Sequence, residues 1–485
     1  MTTPATLLCD FYKISHREQY PEGTEIVYST WTPRANKHHP TSDKVVVFGI
    51  QAFVKKYLIK YFDDNFFSRP LEDVIAEYER IIKFALGVAI PYTKHIEELH
   101  ELGYLPLKLR ALPEGSTVPL RVPMMTIENT DSRFFWLTNF VETLLSAELW
   151  QPSTSATIAK EYRDLLDAYA EETGDPGFVQ FQGHDFSMRG MGCVESAASS
   201  GAGHLLSFVG TDTIPAICHL EEYYNANVEN EIVGTSIPAT EHSVMCAGSK
   251  DGEFATYKRL ITEVYPSGFV SIVSDTWDLW SCIGNIIKPM KNEIMARDGR
   301  VVIRPDSGDP VKIICGDPLS SNPMANKGLI ECLWDIFGGT VNDKGFKVID
   351  FHIGAIYGDS ITLDRCKRIC EGLKNKGFSS TNMVYGIGSY TYQHNTRDSF
   401  GFALKSTMCV IDGKQKNIYK NPATDDGTKK SNTGVVAVQD CQGELICVDG
   451  LLIKHFVDDL MRDVFVDGEL MVDDTLAKIR ARLAN

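Results

Sequence analysis

The sequence contains few cysteines and no paired metal-binding motif. Its 12 cysteines are scattered over 485 residues, and the closest pair, Cys366 and Cys370, has CxxxC spacing. Structural zinc sites use paired CxxC or Cys/His clusters, and disulfide frameworks belong to dense cysteine patterns in small secreted domains. The pattern therefore predicts reduced, mostly buried thiols and argues against a zinc site.

Long apolar runs are also missing. No stretch approaches the roughly 18 apolar residues that a membrane-spanning helix needs. The first residues, MTTPATLLCDFYKISH, contain no basic region followed by an apolar core and a small-residue cleavage site. We therefore expect no membrane partner and predict a cytoplasmic location.

Positive charge is scarce. The chain has 48 Lys and Arg against 64 Asp and Glu, a formal net charge of −16. A strongly acidic chain repels polyanions, so nucleic acid is not expected as a partner. A small anionic ligand remains compatible with this charge if a local cluster of basic residues binds it.

The distribution of strand-like and turn-like patterns along the chain predicts three segments. Residues 104–128 alternate apolar and polar positions around four prolines, which is typical of short antiparallel strands. After residue 400, strand-like runs return with two Asp-Gly turns. We predict that residues 1–150 and 401–485 build one β-rich domain with helices, and that residues 151–400 form the catalytic domain.

Within the middle segment, polar or glycine-rich clusters follow short apolar runs, most of them about 30 residues apart, the length of one strand–helix unit. The junctions fall at Asp185, Asp212, His242, Asp275, Asp306, Asp359 and Gly388. This rhythm predicts an α/β fold with an irregular (β/α) barrel, whose functional side chains gather where strands end. An open Rossmann-like sheet is the alternative, but no GxGxxG follows an early strand.

The stretch VVIRPDSGDP, residues 301–310, shows what such a junction offers: a buried strand followed by an arginine, two carboxylates and a hydroxyl. The side chains expected at the barrel mouth are Arg189, Arg304, Arg397, Asp212, Asp275, Asp278, Asp306, Asp359 and His242. Arginine matches phosphate oxygens, carboxylates bind sugar hydroxyls or a divalent cation, and histidine suits acid–base or nucleophilic work. A barrel glycosidase would explain the carboxylates but not the arginines.

The ordered motifs resemble those of the type II phosphoribosyltransferases, in their nicotinate and nicotinamide branch. The motifs are DFYKISHREQYP, HDFSMRG, GTDT, PATEHS, VSDTWD, IRPDSGDP, YGD and TRD. The resemblance covers nearly the whole chain. It implies transfer of a phosphoribosyl group from phosphoribosyl pyrophosphate to nicotinamide, on a homodimer with the active site at the subunit interface. Nicotinate as the base, or a catalytically silent homologue that binds mononucleotide, are the alternatives.

The resemblance also implies contacts to the phosphoribosyl substrate. The departing pyrophosphate would be bound by Arg189, His242 and Arg304. The ribose hydroxyls would be bound by Asp306 and Asp359, with Gly358 allowing close approach. The 5′-phosphate would be bound by Gly388, Ser389 and Arg397, in a loop where Ile387 and Ser389 interrupt the expected run of glycines. Arg34 of the partner subunit would also reach toward the phosphates, and further basic contacts near the interface would come from Lys405, Lys420, Lys429 and Lys430.

For the base, the resemblance implies stacking of the pyridine ring on Phe186 and on Tyr12 of the partner subunit. Asp212 would accept a hydrogen bond from the amide of nicotinamide and would repel the carboxylate of nicotinate. Ser274 would donate to the amide oxygen. These contacts favour the amide substrate.

The resemblance assigns His242 a second role, as the acceptor of a phosphoryl group from ATP. Asp278 would orient its imidazole and stabilise the charged form. Mg²⁺ is expected because pyrophosphate needs charge neutralisation, although its protein ligands are not implied.

Overall fold

The computed structural model describes residues 3–358, 360–422, 424, 430–455 and 457–484. The chain forms two compact units. Unit 1 comprises Met1–Thr157, His219–Asn227 and Asn395–Asn485, and unit 2 comprises Ile158–Cys218 and Val228–His394. No helix among the described residues is both long and apolar enough to cross a membrane.

Unit 1 is built on an antiparallel sheet, which has seven strands in the described part of the chain. In spatial order, they are Lys414–Asn417, Ala403–Ile411, Thr24–Thr32, Met125–Asn129, Leu107–Ala111, Arg462–Val466 and Glu469–Leu470. The strand Thr24–Thr32 pairs with Ala403–Ile411 on one side and Met125–Asn129 on the other. N- and C-terminal segments therefore share one β-rich domain, as predicted.

The strand Leu107–Ala111 shows why this segment forms a sheet. Its sequence LKLRA alternates buried apolar and half-buried basic side chains, the period of two expected of a strand with one face on a core. On the outer face, Arg110 pairs with Asp459 at 2.6 Å and with Asp463 at 3.2 Å.

The remaining elements of unit 1 surround this sheet. Its short two-stranded sheets pair Lys44–Val46 with Thr117–Pro119 and Val435–Cys441 with Glu444–Leu451. Its α-helices include His16–Gln19, Ile50–Phe53, Leu71–Leu86, Lys94–Leu102, Leu137–Phe140 and Leu476–Leu483. The long helix Glu142–Thr173 contains the division between the units.

Unit 2 is built on a parallel sheet. In the described residues its strands are β1 (Gly183–Asp185), β2 (Gly210–Thr211), β3 (Ser267–Val273), β4 (Asp298–Arg304), β5 (Ile353–Tyr357) and β6 (Met383–Ile387), in the spatial order β2-β1-β6-β5-β4-β3. The segment before His242 adds two parallel bridges, Thr235 to Gly210 of β2 and Ala239 to Ser271 of β3. These bridges link the two edge strands, so the barrel prediction is confirmed.

The central strands β5 (IGAIY) and β6 (MVYGI) are mostly apolar, because helices cover them on one side and the barrel interior on the other. All five residues of β5 are buried. The α-helices of this unit include Val194–His204, His242–Ala247, Glu253–Arg259, Leu279–Cys282, Lys291–Met295, Pro310–Cys315, Pro323–Lys327, Leu329–Phe337, Leu363–Asn375 and Ser389–Gln393. The helix Ile214–Tyr224 runs from one unit into the other.

Candidate active site

Asp275, which follows β3, holds the RPDSGD turn in place. Its Oδ2 accepts hydrogen bonds from the N–H groups of Asp306 and Ser307, at 2.8 and 2.7 Å, and from the Ser307 hydroxyl at 2.6 Å. Three donors on one carboxylate oxygen make a strong, directional anchor. Asp275, which the sequence placed at the rim without a role, therefore fixes the position of Asp306.

Arg304 ends β4 and is held by the neighbouring segment. Its Nη2 donates to the carbonyl of Thr240 at 2.6 Å, and its Nε lies 3.6 Å from Asp306 Oδ1. Thr240 is itself anchored, because its hydroxyl accepts from the N–H of Val273 at 2.9 Å. The Arg304 side chain is only 12% exposed. The guanidinium is therefore positioned before any ligand arrives.

His242 opens a short helix at the end of the bridging segment. Its Nδ1 lies 3.1 Å from the Thr276 hydroxyl, and its Nε2 lies 3.7 Å from Asp306 Oδ2. The ring is half exposed. Histidine, arginine and carboxylate thus meet around Asp306, as the sequence predicted for the barrel mouth.

Asp278 has a different local task from the one predicted. Its Oδ1 accepts from the N–H of Ser281 at 2.8 Å and caps the helix Leu279–Cys282. Among the described residues, the polar partners of the His242 ring are Thr276 and Asp306. The structure therefore brings Thr276, and not Asp278, into hydrogen-bond range of the imidazole.

Gly358 follows β5 and lies against Asp306. A Cβ atom built on Gly358 would lie 1.9 Å from Asp306 Oδ1, far closer than two non-bonded atoms approach. Only glycine fits this backbone without displacing the carboxylate. The predicted residue Asp359 lies outside the described residues.

Phe186 follows β1, and its ring packs into the rim. Its N–H donates to the carbonyl of Ile387 at 2.9 Å, and its ring centroid lies 4.6 Å from that of His184. A Cβ on Gly386 would lie 2.8 Å from the Phe186 ring. Phe186 is thus a fixed aromatic surface at the barrel mouth.

Asp212 follows β2 and has one oxygen fixed. His184 Nε2 lies 2.9 Å from Asp212 Oδ1, and the Ser236 hydroxyl donates to the same oxygen at 2.6 Å. Burial alone would raise the pKa of Asp212, but the hydrogen bonds from His184 and Ser236 and the charge of Arg304 lower it below its ordinary value. Asp212 is therefore ionised at neutral pH.

Ser274 points away from the mouth. Its side chain is fully buried, its hydroxyl donates to the Ile272 carbonyl at 2.7 Å, and it accepts from the Tyr257 hydroxyl at 2.9 Å. The Ser274 hydroxyl proton, which the predicted contact with the nicotinamide oxygen requires, is thus donated to a backbone carbonyl inside the core.

The residues predicted for the 5′-phosphate fall in both units. Gly388 and Ser389 start the helix Ser389–Gln393 after β6, and a Cβ on Gly190 would lie 2.1 Å from the Ser389 hydroxyl oxygen. Gly190 therefore brings Ser389 close to the exposed turn that carries Arg189. Arg397 belongs to unit 1, where it pairs with Asp398 at 3.1 Å.

Unit 1 contains a cationic pocket, a cavity of about 170 Å³. Among the described residues, its charged lining consists of Arg34, Arg121, Lys405, Lys430 and Asp449. Burial lowers the pKa of Lys405, and the charges of Arg34 and Lys13 lower it further, against the raising effect of Glu142. Four cations against one carboxylate make this a site for an anion.

Two other predicted interface residues lie in unit 1. Lys420 is exposed, and its backbone bonds with Ser431, another residue of the pocket lining. Tyr12 is 56% exposed, with its ring edge-on to His16 at a centroid distance of 4.9 Å. Lys429 lies outside the described residues.

Sequence reasoning missed several of these residues. His184 had a detectable signal, because it stands in the HDF motif at the end of a strand. For Ser236 and Thr276 the only sequence signal was their position close to predicted rim residues. For Arg121 there was no signal in the sequence. Its backbone is left-handed, with φ of 73°, and tertiary context imposes this conformation on a residue other than glycine. Within the described residues, no group of three or more His, Cys, Asp or Glu is placed to hold a metal ion.

A parallel barrel sheet with arginines, a histidine and carboxylates at its mouth, together with an antiparallel domain, is the fold expected of the type II phosphoribosyltransferases. Two solved structures share the fold: a nicotinate-nucleotide pyrophosphorylase from Pyrococcus furiosus (TM-score 0.58, 14% identity, 99% of this chain and 94% of that one), and human nicotinic acid phosphoribosyltransferase (TM-score 0.53, 13% identity, 99% and 93%). At these identities the likeness shows the fold alone.

Sequence similarity identifies the family. The model of the nicotinate phosphoribosyltransferase (NAPRTase) family matches residues 181–469, and that of the N-terminal domain of nicotinamide phosphoribosyltransferase matches residues 5–65. A nicotinamide phosphoribosyltransferase of Acinetobacter baylyi is 50% identical over 98% of this chain and 96% of its own length. A nicotinamide phosphoribosyltransferase of Mycoplasma pneumoniae is 35% identical over 88% of this chain and 94% of its own length. The chain therefore belongs to the nicotinate phosphoribosyltransferase family.

Proposed function

We propose that this enzyme transfers the phosphoribosyl group of phosphoribosyl pyrophosphate to nicotinamide, giving nicotinamide mononucleotide and pyrophosphate. The observation that carries the proposal is the ionised, fixed carboxylate of Asp212 at the mouth that also holds Arg304 and His242. Such a carboxylate accepts a hydrogen bond from an amide NH₂ and repels a carboxylate. The names of the two relatives, both nicotinamide phosphoribosyltransferases, support the same base.

In the reaction, the pyridine nitrogen attacks ribose C1. The new C1–N bond forms as the C1–O bond to pyrophosphate breaks, and the electron pair of that bond leaves with the pyrophosphate. Negative charge therefore grows on the leaving oxygens, where Arg304 and Arg189 stabilise it. Because Arg304 is already fixed on the Thr240 carbonyl, little reorganisation is needed at that moment.

Asp306 and Asp359 bind the ribose hydroxyls in this proposal, and Gly358 lets the sugar approach. Gly388, Ser389 and Arg397 bind the 5′-phosphate. Phe186 stacks on the pyridine ring. Ser274 acts from inside the core, where its hydroxyl supports the strand end that carries Asp275.

We further propose a homodimer in which Tyr12 of the partner subunit and Arg34 of the partner subunit complete the site. The exposure of Tyr12 and the excess of cations in the pocket of Arg34 and Lys405 support this. Lys420, Lys429 and Lys430 extend the same basic surface. We also propose that the enzyme acts in the cytoplasm.

His242 is proposed to accept the γ-phosphoryl group of ATP. A nitrogen–phosphorus bond forms, the bond to ADP breaks, and water later releases phosphate. The half-exposed ring, held at Nδ1 by Thr276, supports this role. Asp278 caps the helix that follows Thr276, so we infer that it acts on His242 through this turn.

Mg²⁺ is proposed to enter as the magnesium complex of phosphoribosyl pyrophosphate. The carboxylate of Asp306 would supply a hard oxygen donor of the kind that Mg²⁺ prefers. When bound, the ion would neutralise charge on the pyrophosphate.

Nicotinate is the second candidate base, favoured by the description of the family model that matches residues 181–469. One assay separates the two candidates: pyrophosphate release by the purified protein with phosphoribosyl pyrophosphate and Mg²⁺, with nicotinamide or nicotinate, each with and without ATP. We expect turnover with nicotinamide and stimulation by ATP. Turnover with nicotinate alone would overturn the role of Asp212. Mononucleotide binding without turnover would identify a catalytically silent homologue.

A further inference from the structure

We propose that His184 is a positioning residue that sets base specificity: together with Ser236 it holds Oδ1 of Asp212, so that Oδ2 is the oxygen offered to the base. This inference rests on the proposed function and deepens it. His184 stands in the sequence directly before the predicted rim residues and has no role in the reaction derived above.

The hydrogen bonds to the Asp212 carboxylate support the positioning role of His184. His184 Nε2 and the Ser236 hydroxyl lie 2.9 and 2.6 Å from the same oxygen of Asp212. Among the described residues, Oδ2 accepts no hydrogen bond. A carboxylate has acceptor capacity on both oxygens, so two donors on one of them leave the other for a ligand. The backbone is fixed as well, since the Asp212 N–H donates to the Asp185 carbonyl at 2.9 Å.

The His184 ring is itself fixed. It is 9% exposed, packs against Phe186, and lies so close to Gly210 that a Cβ there would be 2.8 Å from Nδ1. Because an ionised carboxylate only accepts hydrogen bonds, Nε2 must carry the proton. The ring therefore holds Asp212 by donating a hydrogen bond to Oδ1.

The test measures the ratio of kcat/KM for nicotinamide to that for nicotinate. His184→Ala should lower this ratio about tenfold, and Ser236→Ala about threefold, because each removes a hydrogen bond to a charged group. His184→Gln keeps a donor and should leave the ratio within about twofold near pH 7. His352→Gln is the matched control, since His352 forms a 2.7 Å pair with Asp350 just before the amino end of β5. It should leave the ratio unchanged.

Rescue by the conservative variant is the reading that separates positioning from a general structural role. His184→Gln keeps a hydrogen-bond donor and should restore the ratio that His184→Ala lowers.

The inference would be overturned by an unchanged ratio in His184→Ala, or by a ratio in His184→Gln as low as that in His184→Ala. If His184→Ala does not fold, as thermal unfolding would show, His184→Gln and Ser236→Ala still decide the question. Asp212→Asn separates this failure from failure of the proposed function. A ratio that responds to Asp212→Asn but not to the His184 variants refutes only the positioning role, whereas no response to Asp212→Asn refutes the specificity carboxylate itself.

Discussion

The barrel rim of unit 2 and the cationic pocket of unit 1 both contain arginine or lysine, but the surroundings of these basic side chains differ. At the rim, Arg304 is 12% exposed, donates to a backbone carbonyl and lies beside Asp306. In the pocket, Arg34, Arg121, Lys405 and Lys430 line one cavity with Asp449 as the described carboxylate. At the rim Arg304 lies beside a carboxylate, whereas in the pocket four cations share one described carboxylate in the lining.

The difference indicates two tasks. Fixed, partnered charges stabilise a transition state because they need no reorganisation as charge develops. A surplus of cations attracts an anion and raises its affinity, but less so at high salt. Rim variants should therefore change kcat, and pocket variants should change KM.

The largest effect is expected for Arg304→Ala. Loss of the guanidinium should lower kcat about 10²- to 10³-fold at saturating substrates, because one preorganised stabilising group is removed. Steady-state release of pyrophosphate measures this. Arg300→Ala is the control on the same strand: Arg300 donates to the Phe351 carbonyl and stacks on Phe269 and Phe351. Equal kcat values for the two variants would contradict the assignment.

A smaller effect is expected for Asp212→Asn. The neutral amide no longer repels nicotinate, so the preference for nicotinamide should fall about 10²-fold. Competition between the two bases for limiting phosphoribosyl pyrophosphate would show the shift directly. An unchanged product ratio would mean that another group selects the base.

Lys405→Ala should act on binding. We expect the KM for phosphoribosyl pyrophosphate to rise about tenfold at low salt and by less at high salt, with kcat nearly unchanged. The lowered pKa of Lys405 means that its charge is lost at a lower pH than for an ordinary lysine, so the wild-type KM should rise early on the alkaline side. Lys60→Ala, which removes an exposed lysine paired with Asp64, is the control. A fall in kcat without a change in KM would place Lys405 with the rim.

The smallest effect is expected at Asp278. Asp278→Ala should lower the free energy of unfolding by about 1 kcal/mol through loss of the helix cap, and should weaken ATP stimulation by loosening the turn that carries Thr276. Asp278→Ser retains a capping oxygen and should preserve both properties. Thr475→Ala, at the cap of the helix Leu476–Leu483, gives the same loss of stability in unit 1 without touching ATP stimulation. Loss of stimulation in Asp278→Ser would show that the carboxylate itself acts on His242.

The sequence by itself determined the alternation of apolar strands and polar junctions, and with it the barrel and the β-rich domain. A parallel strand buried on both faces is apolar throughout, and its polar residues must follow its end, so Arg304, Asp306 and Asp212 could be placed at the mouth from spacing alone. The strands of the terminal segments could be predicted for a related reason. In a strand with one face on a core, apolar and polar residues alternate with a period of two.

Only the tertiary structure decided which atoms at those junctions meet. Ser274 and Asp275 are neighbours in the chain, yet one is buried and the other anchors the rim, because successive side chains of an extended segment point to opposite sides. The Thr276 partner of His242, the Ser236 partner of Asp212 and the left-handed backbone of Arg121 depend on segments distant in sequence or on local packing. Hydrogen bonds and close contacts act over a few ångströms, and the folded backbone alone brings such groups within that range.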